Sequence, residues 1–238
     1  MRGIGTVLRS RLDAASDEHR ANRAAMQALW DEVSAQLASV PSVGGQRYVD
    51  RHRQRGKLLV RERIELLVDP DTPFLELCPL AAWGTGDPVG AGVAAGIGVV
   101  EGTEVLISGS DMTYRGGSAN PSTVAKNLRL DEIARANRLP TITLNESAGA
   151  DLPRQADIFV PGGAGFKNIT QRSKLGIPSI TAVFGPSTAG GAYTPGMSDY
   201  TVFVKDRGTA YLGGPPLVKM AIDEIVDEET LGGAEMHS

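Results

Sequence analysis

Cysteine is almost missing from this 238-residue chain. Cys78 stands alone, which excludes a disulfide framework and a cysteine-based metal site. Histidine is scarce too. His19, His52 and His237 lie far apart, and no spacing among them fits zinc, so no metal is expected. No apolar run reaches the ~20 residues that span a bilayer. The first residues lack the apolar core of a signal peptide, and a reducing, cytoplasmic location is expected. A net charge of −4 argues against nucleic acid as a general partner. There is no Gly-x-Ser-x-Gly elbow: Gly185-Pro186-Ser187-Thr188-Ala189 departs at the last glycine. A P-loop is missing because no Gly-Lys-Ser/Thr follows a Gly-rich loop. Ser147 or Ser187 as a nucleophile would need a histidine base, and late in the chain there is only His237. Glu146, Asp151 and Asp157 could act as acid or base, although such residues more often cap turns and face solvent.

What the chain has is glycine. Its 29 glycines include pairs at 116–117, 162–163, 190–191 and 213–214, a turn-rich α/β signature. Ala25, Leu29, Val33 and Leu37 recur every four residues and predict an amphipathic helix over 17–37, laid against the body. Arg51, Arg53, Arg55, Lys57, Arg61 and Arg63 make the most basic stretch. Such a run is usually a solvated face; it could also meet the phosphates of an anionic cofactor. From Val93 the pattern becomes regular. Two strands, 93–100 and 104–108, form a hairpin about Glu101-Gly102-Thr103. Ser122 or Thr123 can cap a helix running to about Asn137. A strand over 141–144, a helix over 166–174, a strand over 179–184, a short helix over 191–197 and strands over 200–204 and 209–212 follow. The last helix starts after Pro215-Pro216.

This β-α-β-α-β-α order implies parallel strands with right-handed crossovers. Ligands then bind at the carboxyl ends of the strands. Three Gly-rich loops fall there, 116–120, 145–149 and 185–191. The last is the most informative. Ala189-Gly190-Gly191 puts bare backbone N–H groups where a strand turns into a helix. Glycine allows close approach of a ligand, and the unpaired donors of a helix start can hold an oxygen that becomes negative. With no side-chain base in sight, the residues suit chemistry in which an enolate is stabilised and the base comes from elsewhere.

Several runs resemble one family. They are Arg55-Gly56-Lys57-Leu58 with Arg61-Glu62-Arg63, Tyr114-Arg115-Gly116-Gly117-Ser118, Asp151-Leu152-Pro153-Arg154-Gln155, Thr188-Ala189-Gly190-Gly191-Ala192-Tyr193 and Leu212-Gly213-Gly214-Pro215-Pro216-Leu217-Val218-Lys219. Together they are similar to the carboxyltransferase (β) subunits of biotin-dependent acyl-CoA carboxylases, in the methylcrotonyl-CoA and geranyl-CoA branch. The resemblance covers about 45–238. It implies an α/β, crotonase-like spiral of ββα units over 46–238, preceded by a helical extension over 1–45. It implies acyl-CoA as acceptor and carboxybiotin, carried on a biotin carboxylase/biotin carrier (α) subunit, as donor and base. Homo-oligomers are implied as well. The oxyanion donors become Gly190 with Ala189 or Gly191. Gly116, Gly117, Ser118, Ser147 and Tyr193 become the substrate side, and Arg51, Arg53, Arg55 and Lys57 become neighbours of the CoA phosphates.

Two stretches depart from the family pattern. Tyr114-Arg115 replaces the common Val-Lys, and Asn145-Glu146-Ser147-Ala148-Gly149 replaces Val-Asp-Ser-Gly-Gly; both are expected on the acyl side. Family subunits carry two related domains, so the 238 residues are expected to be the N-terminal, CoA-binding half, incomplete alone. The competing readings are a non-catalytic CoA-binding or assembly module, and a hydrolase or isomerase on the same fold. The latter lacks a visible nucleophile–base pair or acidic dyad.

Overall fold

The computed structural model describes residues 9–42 and 44–238. The chain divides into two units, 1–38 and 39–238. The first is mainly helix α1 (Asp17–Ser39), in which no residue is buried. Leu29 and Leu37 of the expected apolar stripe are exposed.

The second unit opens with α2 (Gln46–Gln54), α3 (Val60–Leu67) and the short strand β1 (Leu75–Glu76). The hairpin then forms as the turn at Glu101-Gly102 dictates, with β2 (Val93–Val100) against β3 (Thr103–Ser110) in unbroken antiparallel register. Both turn residues have positive φ, and Asp69 accepts both their N–H groups at 2.8 Å. Helices join β3 to β4, β4 to β5 and β5 to β6, so pairing becomes parallel. The order is α4 (Pro121–Asn137), β4 (Thr141–Ser147), α5 (Gln155–Lys174), β5 (Ser179–Thr188) and α6 (Gly190–Met197). After these come β6 (Tyr200–Phe203), β7 (Thr209–Tyr211), α7 (Pro215–Ile222), α8 (Glu228–Gly232) and α9 (Ala234–His237). The sheet runs β1-β2-β3-β4-β5-β6. The first half of β5 pairs with β6, and its last residues, Pro186 to Thr188, pair with β7.

Alternate residues of the central strands feed two cores, as the two-residue strand period requires. Ala94, Val105 and Ile107 pack with Ile64 and the apolar side of α3. Val93, Ala95 and Leu106 pack with Leu130 and Ala134 of α4. The sheet is therefore covered on both faces, which leaves the strand ends as the place for a ligand.

Three expectations need correction. Strands β4 and β5 run on to Ser147 and Thr188, past the ends at 144 and 184 read from sequence, because ladder pairing continues across the bulge between them. Helix α4 is capped by Asn120, whose Oδ1 accepts the Thr123 N–H at 2.9 Å, and not by Ser122 or Thr123. Pro121 takes the first helical position, where its missing N–H costs nothing. Helix α5 starts at Gln155, eleven residues earlier than the Phe166 start read from sequence. Pro161, Gly162, Gly163 and Gly165 disguise its first half, since each weakens a helix in isolation. Here tertiary packing overrides propensity, with Ile158 of that half buried.

Candidate active site

The ends of β3, β4 and β5 open onto one cavity of about 610 Å³. Its floor is the β5–α6 turn. Its walls are the loops after β3 and β4 and the first half of α5. The two loops are laced together by backbone. Ala148 N donates to Gly116 O at 2.9 Å, Ala119 N to Gly149 O at 2.8 Å and Asp151 N to Ala119 O at 2.8 Å. Ions fasten the rim. Arg115 donates to Asp151 at 2.8 Å, and Arg154 bridges Asp151 at 3.0 Å and Asp87 at 2.8 Å. Burial opposes the charged form of Asp87, but hydrogen bonds from Arg154 and Ser122 outweigh it and hold this carboxyl below its ordinary range.

At the floor, Ala189 has φ 54° and ψ −120°. This is a sparsely populated backbone conformation for a residue with a Cβ, and it costs about 1–3 kcal/mol. It turns the chain sharply from β5 into α6. In some hydrolases a strand-to-helix turn of this kind displays a nucleophile. Here the turn residue ends in a methyl group, so the turn offers the first N–H groups of α6, which have no intrahelical acceptor. A Cβ on Gly190 would lie 3.7 Å from the Phe166 ring, and one on Gly191 3.3 Å from Ser147 Cβ. Phe166 and Tyr193 stack edge-tilted at 5.0 Å between centroids, closing one side.

Among the described residues no Asp, Glu, His, Lys, Arg or Cys lines the cavity; Tyr193 is its one titratable side chain. Its polar side chains include the hydroxyls of Ser108, Ser110, Ser147 and Thr143 and the amides of Asn127 and Asn145, set among Val93, Val124, Ile158 and Phe159. The cavity can therefore orient a largely apolar ligand and stabilise an oxyanion, but it cannot take up a proton by a side chain of ordinary basicity.

Most expected substrate residues converge. Ala189, Gly190, Gly191, Gly117, Ser147 and Tyr193 line the cavity. Gly116 and Ser118 flank Gly117 without lining it. The cationic run is split. Lys57 turns inward and donates to Glu146 Oε1, while Arg63 donates to Oε2 at 3.0 Å. Arg53 pairs with Glu62 at 2.7 Å and Arg61 grips both oxygens of Glu76 at 2.9 and 2.6 Å. Arg51 and Arg55 are exposed on and just after α2. Glu146 does not line the cavity, contrary to expectation: it is 2% exposed on the opposite face of β4 from Asn145 and Ser147. Arg115 likewise is outside the lining, in its ion pair on the rim.

With this geometry in view, residues 51–238 match the family model of the carboxyl transferase domain. The chain belongs to this family. Over 232 residues it is 54% identical to a probable biotin-dependent acyl-coenzyme A carboxylase beta2 subunit of Mycobacterium tuberculosis, covering 98% of this chain and 44% of that protein. The solved β subunit of Pseudomonas aeruginosa geranyl-CoA carboxylase superposes with a TM-score of 0.89 at 42% identity, over 98% of this chain and 43% of that one. Transcarboxylase 12S, solved as a hexamer with methylmalonyl-coenzyme A bound, gives 0.79 at 28% identity, over 89% and 42%. The carboxyltransferase fold here is crotonase-like, and the chain spans less than half the length of these relatives.

Two site residues have roles that a linear reading does not show in full. Asn145 stands in the 145–149 stretch already expected at the site, and that place is the one sign of its role. Its buried Nδ2 donates to Ser187 Oγ at 2.8 Å and to the Gly191 carbonyl at 3.1 Å. Phe166 carries no such sign, because nothing in sequence brings α5 over α6.

Proposed function

We propose that residues 39–238 form the acyl-CoA side of a biotin-dependent carboxyltransferase. The observation that carries this reading is a cavity floored by helix-start N–H groups and lined by no side-chain base. A thioester oxygen seated over Gly190 and its neighbour, Ala189 or Gly191, meets donors that strengthen as charge develops on it. The apolar wall orients the hydrocarbon chain and excludes water, which makes those donors count for more. Carboxybiotin, brought by a biotin carrier subunit, supplies the carboxyl group and the basic site that the cavity lacks. This chain's part is to hold the acyl group, present its carbon and stabilise the enolate oxygen. A branched, methylcrotonyl- or geranyl-like acyl group is the proposed class. An isomerase or hydrolase reading would need an acid, base or nucleophile with its partner in the lining, and the described residues provide none.

Calorimetric titration with 3-methylcrotonyl-CoA tests this reading. Gly190→Ala has room for its methyl group, at ordinary contact distance from Phe166. We expect it to bind within a few-fold of the parent chain. Gly190→Val fills the thioester's place and should weaken binding at least about 10-fold. Equal affinity of the valine variant would remove the assignment.

A further inference from the structure

On β4 and β5 the ladder pairs Asn145 with Val183 and then Ser147 with Ser187. A single residue of β4, Glu146, thus faces three of β5: Phe184, Gly185 and Pro186. Such a bulge re-aims the chain beyond it, and what lies beyond it is the Ala189 turn. The Glu146 side chain fills the bulge. A Cβ on Gly185 would collide with the Glu146 carboxylate and force it out of its place. The carboxylate is held from two sides by Lys57 and Arg63, and Arg63 also stacks over the Phe184 ring at 4.3 Å. Lys57 and Arg63 come from the stretch joining α2 to α3 and from α3 itself, far from the cavity in sequence. On the other face of β4, Asn145 ties Ser187 to Gly191.

We propose that Glu146, clamped by Lys57 and Arg63, is a positioning residue: it wedges the β5 bulge open and so aims the N–H groups of Gly190 and Gly191 at the thioester oxygen. The proposal rests on the acyl-CoA reading of the cavity. Its physical basis is that a buried carboxylate between two cations has few alternative positions, since leaving either partner exposes an uncompensated charge in a dry place. Two cations against one carboxylate also leave a positive formal charge behind the turn, a sign that favours an oxyanion in front of it.

The full chain is titrated with 3-methylcrotonyl-CoA carrying ¹³C at the thioester carbonyl, and the bound carbonyl stretch is read by infrared difference. In the parent chain we expect a shift to lower wavenumber. Glu146→Gln should lose at least half of that shift, while its affinity for free CoA stays within about threefold. Amide exchange over 184–191 should quicken by about tenfold or more, with α4 unchanged. If Glu146→Gln does not fold, Lys57→Gln keeps the Arg63 contact and should lose a smaller but measurable part of the shift. A full shift in either folded variant, or equal loss of exchange protection throughout the chain, overturns the proposal and leaves the acyl-CoA reading standing. Absence of acyl-CoA binding by the parent chain removes that reading, and the positioning role with it.

Discussion

Lys126 sits 3% exposed under the start of β2, its ammonium donating to the carbonyls of Gly90 at 3.2 Å and Val93 at 2.7 Å. Burial pushes this group down from 10.5 to about 8. Between those values the unfolded chain holds more protons than the folded one, so stability rises with pH across that window. The gain is on the order of 1–3 kcal/mol. Urea unfolding at pH 8 and pH 10 should show it in the parent chain, and Lys126→Met should remove the difference. Gly117 is constrained in another way. It has φ 68°, and a Cβ there would lie 2.7 Å from Met112 Sδ and 3.0 Å from the Glu146 carbonyl oxygen. Gly117→Ala should therefore cost about 2–3 kcal/mol in urea unfolding. Gly116→Ala, with φ 63° but 3.3 Å of room to Ala148, should cost about 1 kcal/mol.

Helix α5 is held unevenly. Its second half is tied to α4 by Arg172–Asp131 and by Asn168, which donates to Asp131 at 3.2 Å. Its first half lines the cavity and contains Pro161, Gly162 and Gly163, with Gly165 just beyond. Gly165 lies outside the cavity lining and has open space where a Cβ would sit. Gly165→Ala should stabilise the chain by about 0.5–1 kcal/mol. Near 240 residues that raises Tm by roughly 1–4 °C, readable by circular dichroism, with acyl-CoA affinity unchanged. Helix α2 invites a different experiment. Arg51 and Arg55 make no ion pair among the described residues, unlike Lys57 and Arg63. If they face the CoA phosphates, raising salt should weaken CoA binding, because exposed charges are screened over about 8–10 Å near physiological ionic strength. Arg51→Ala with Arg55→Ala should flatten that dependence. Affinity independent of salt would return both arginines to a solvated face.

The second unit as a body carries exposed apolar side chains toward its end. Leu217, Met220, Ile222 and Ile225 are each more than half exposed, Met220 80% and Ile225 83%. A contiguous apolar patch favours association. Sedimentation velocity should show concentration-dependent association of the chain, and Met220→Lys with Ile225→Lys should reduce it. No helix among the described residues is long and apolar enough to cross a membrane.

Local chemistry was enough for much of this chain. The hairpin follows from Glu101-Gly102, the strand starts from their apolar runs, and the donor turn from Ala189-Gly190-Gly191. Each signal lies within a few residues of what it specifies, and all can be read along the chain. The run from Arg51 to Arg63 shows the limit. Composition marks it as basic, but whether a cation faces solvent, a ligand or a buried carboxylate depends on what folds against it. Lys57 meets Glu146 across 89 positions and Arg63 meets it across 83. The true start of α5 was hidden for the same reason: Pro161 and its glycines oppose a helix locally, and the burial that overrides them comes from α4 and the cavity. Contacts that close over such separations leave no periodic trace in sequence, so the fold alone assigns Glu146 to the far side of β4 and leaves the cavity without a base.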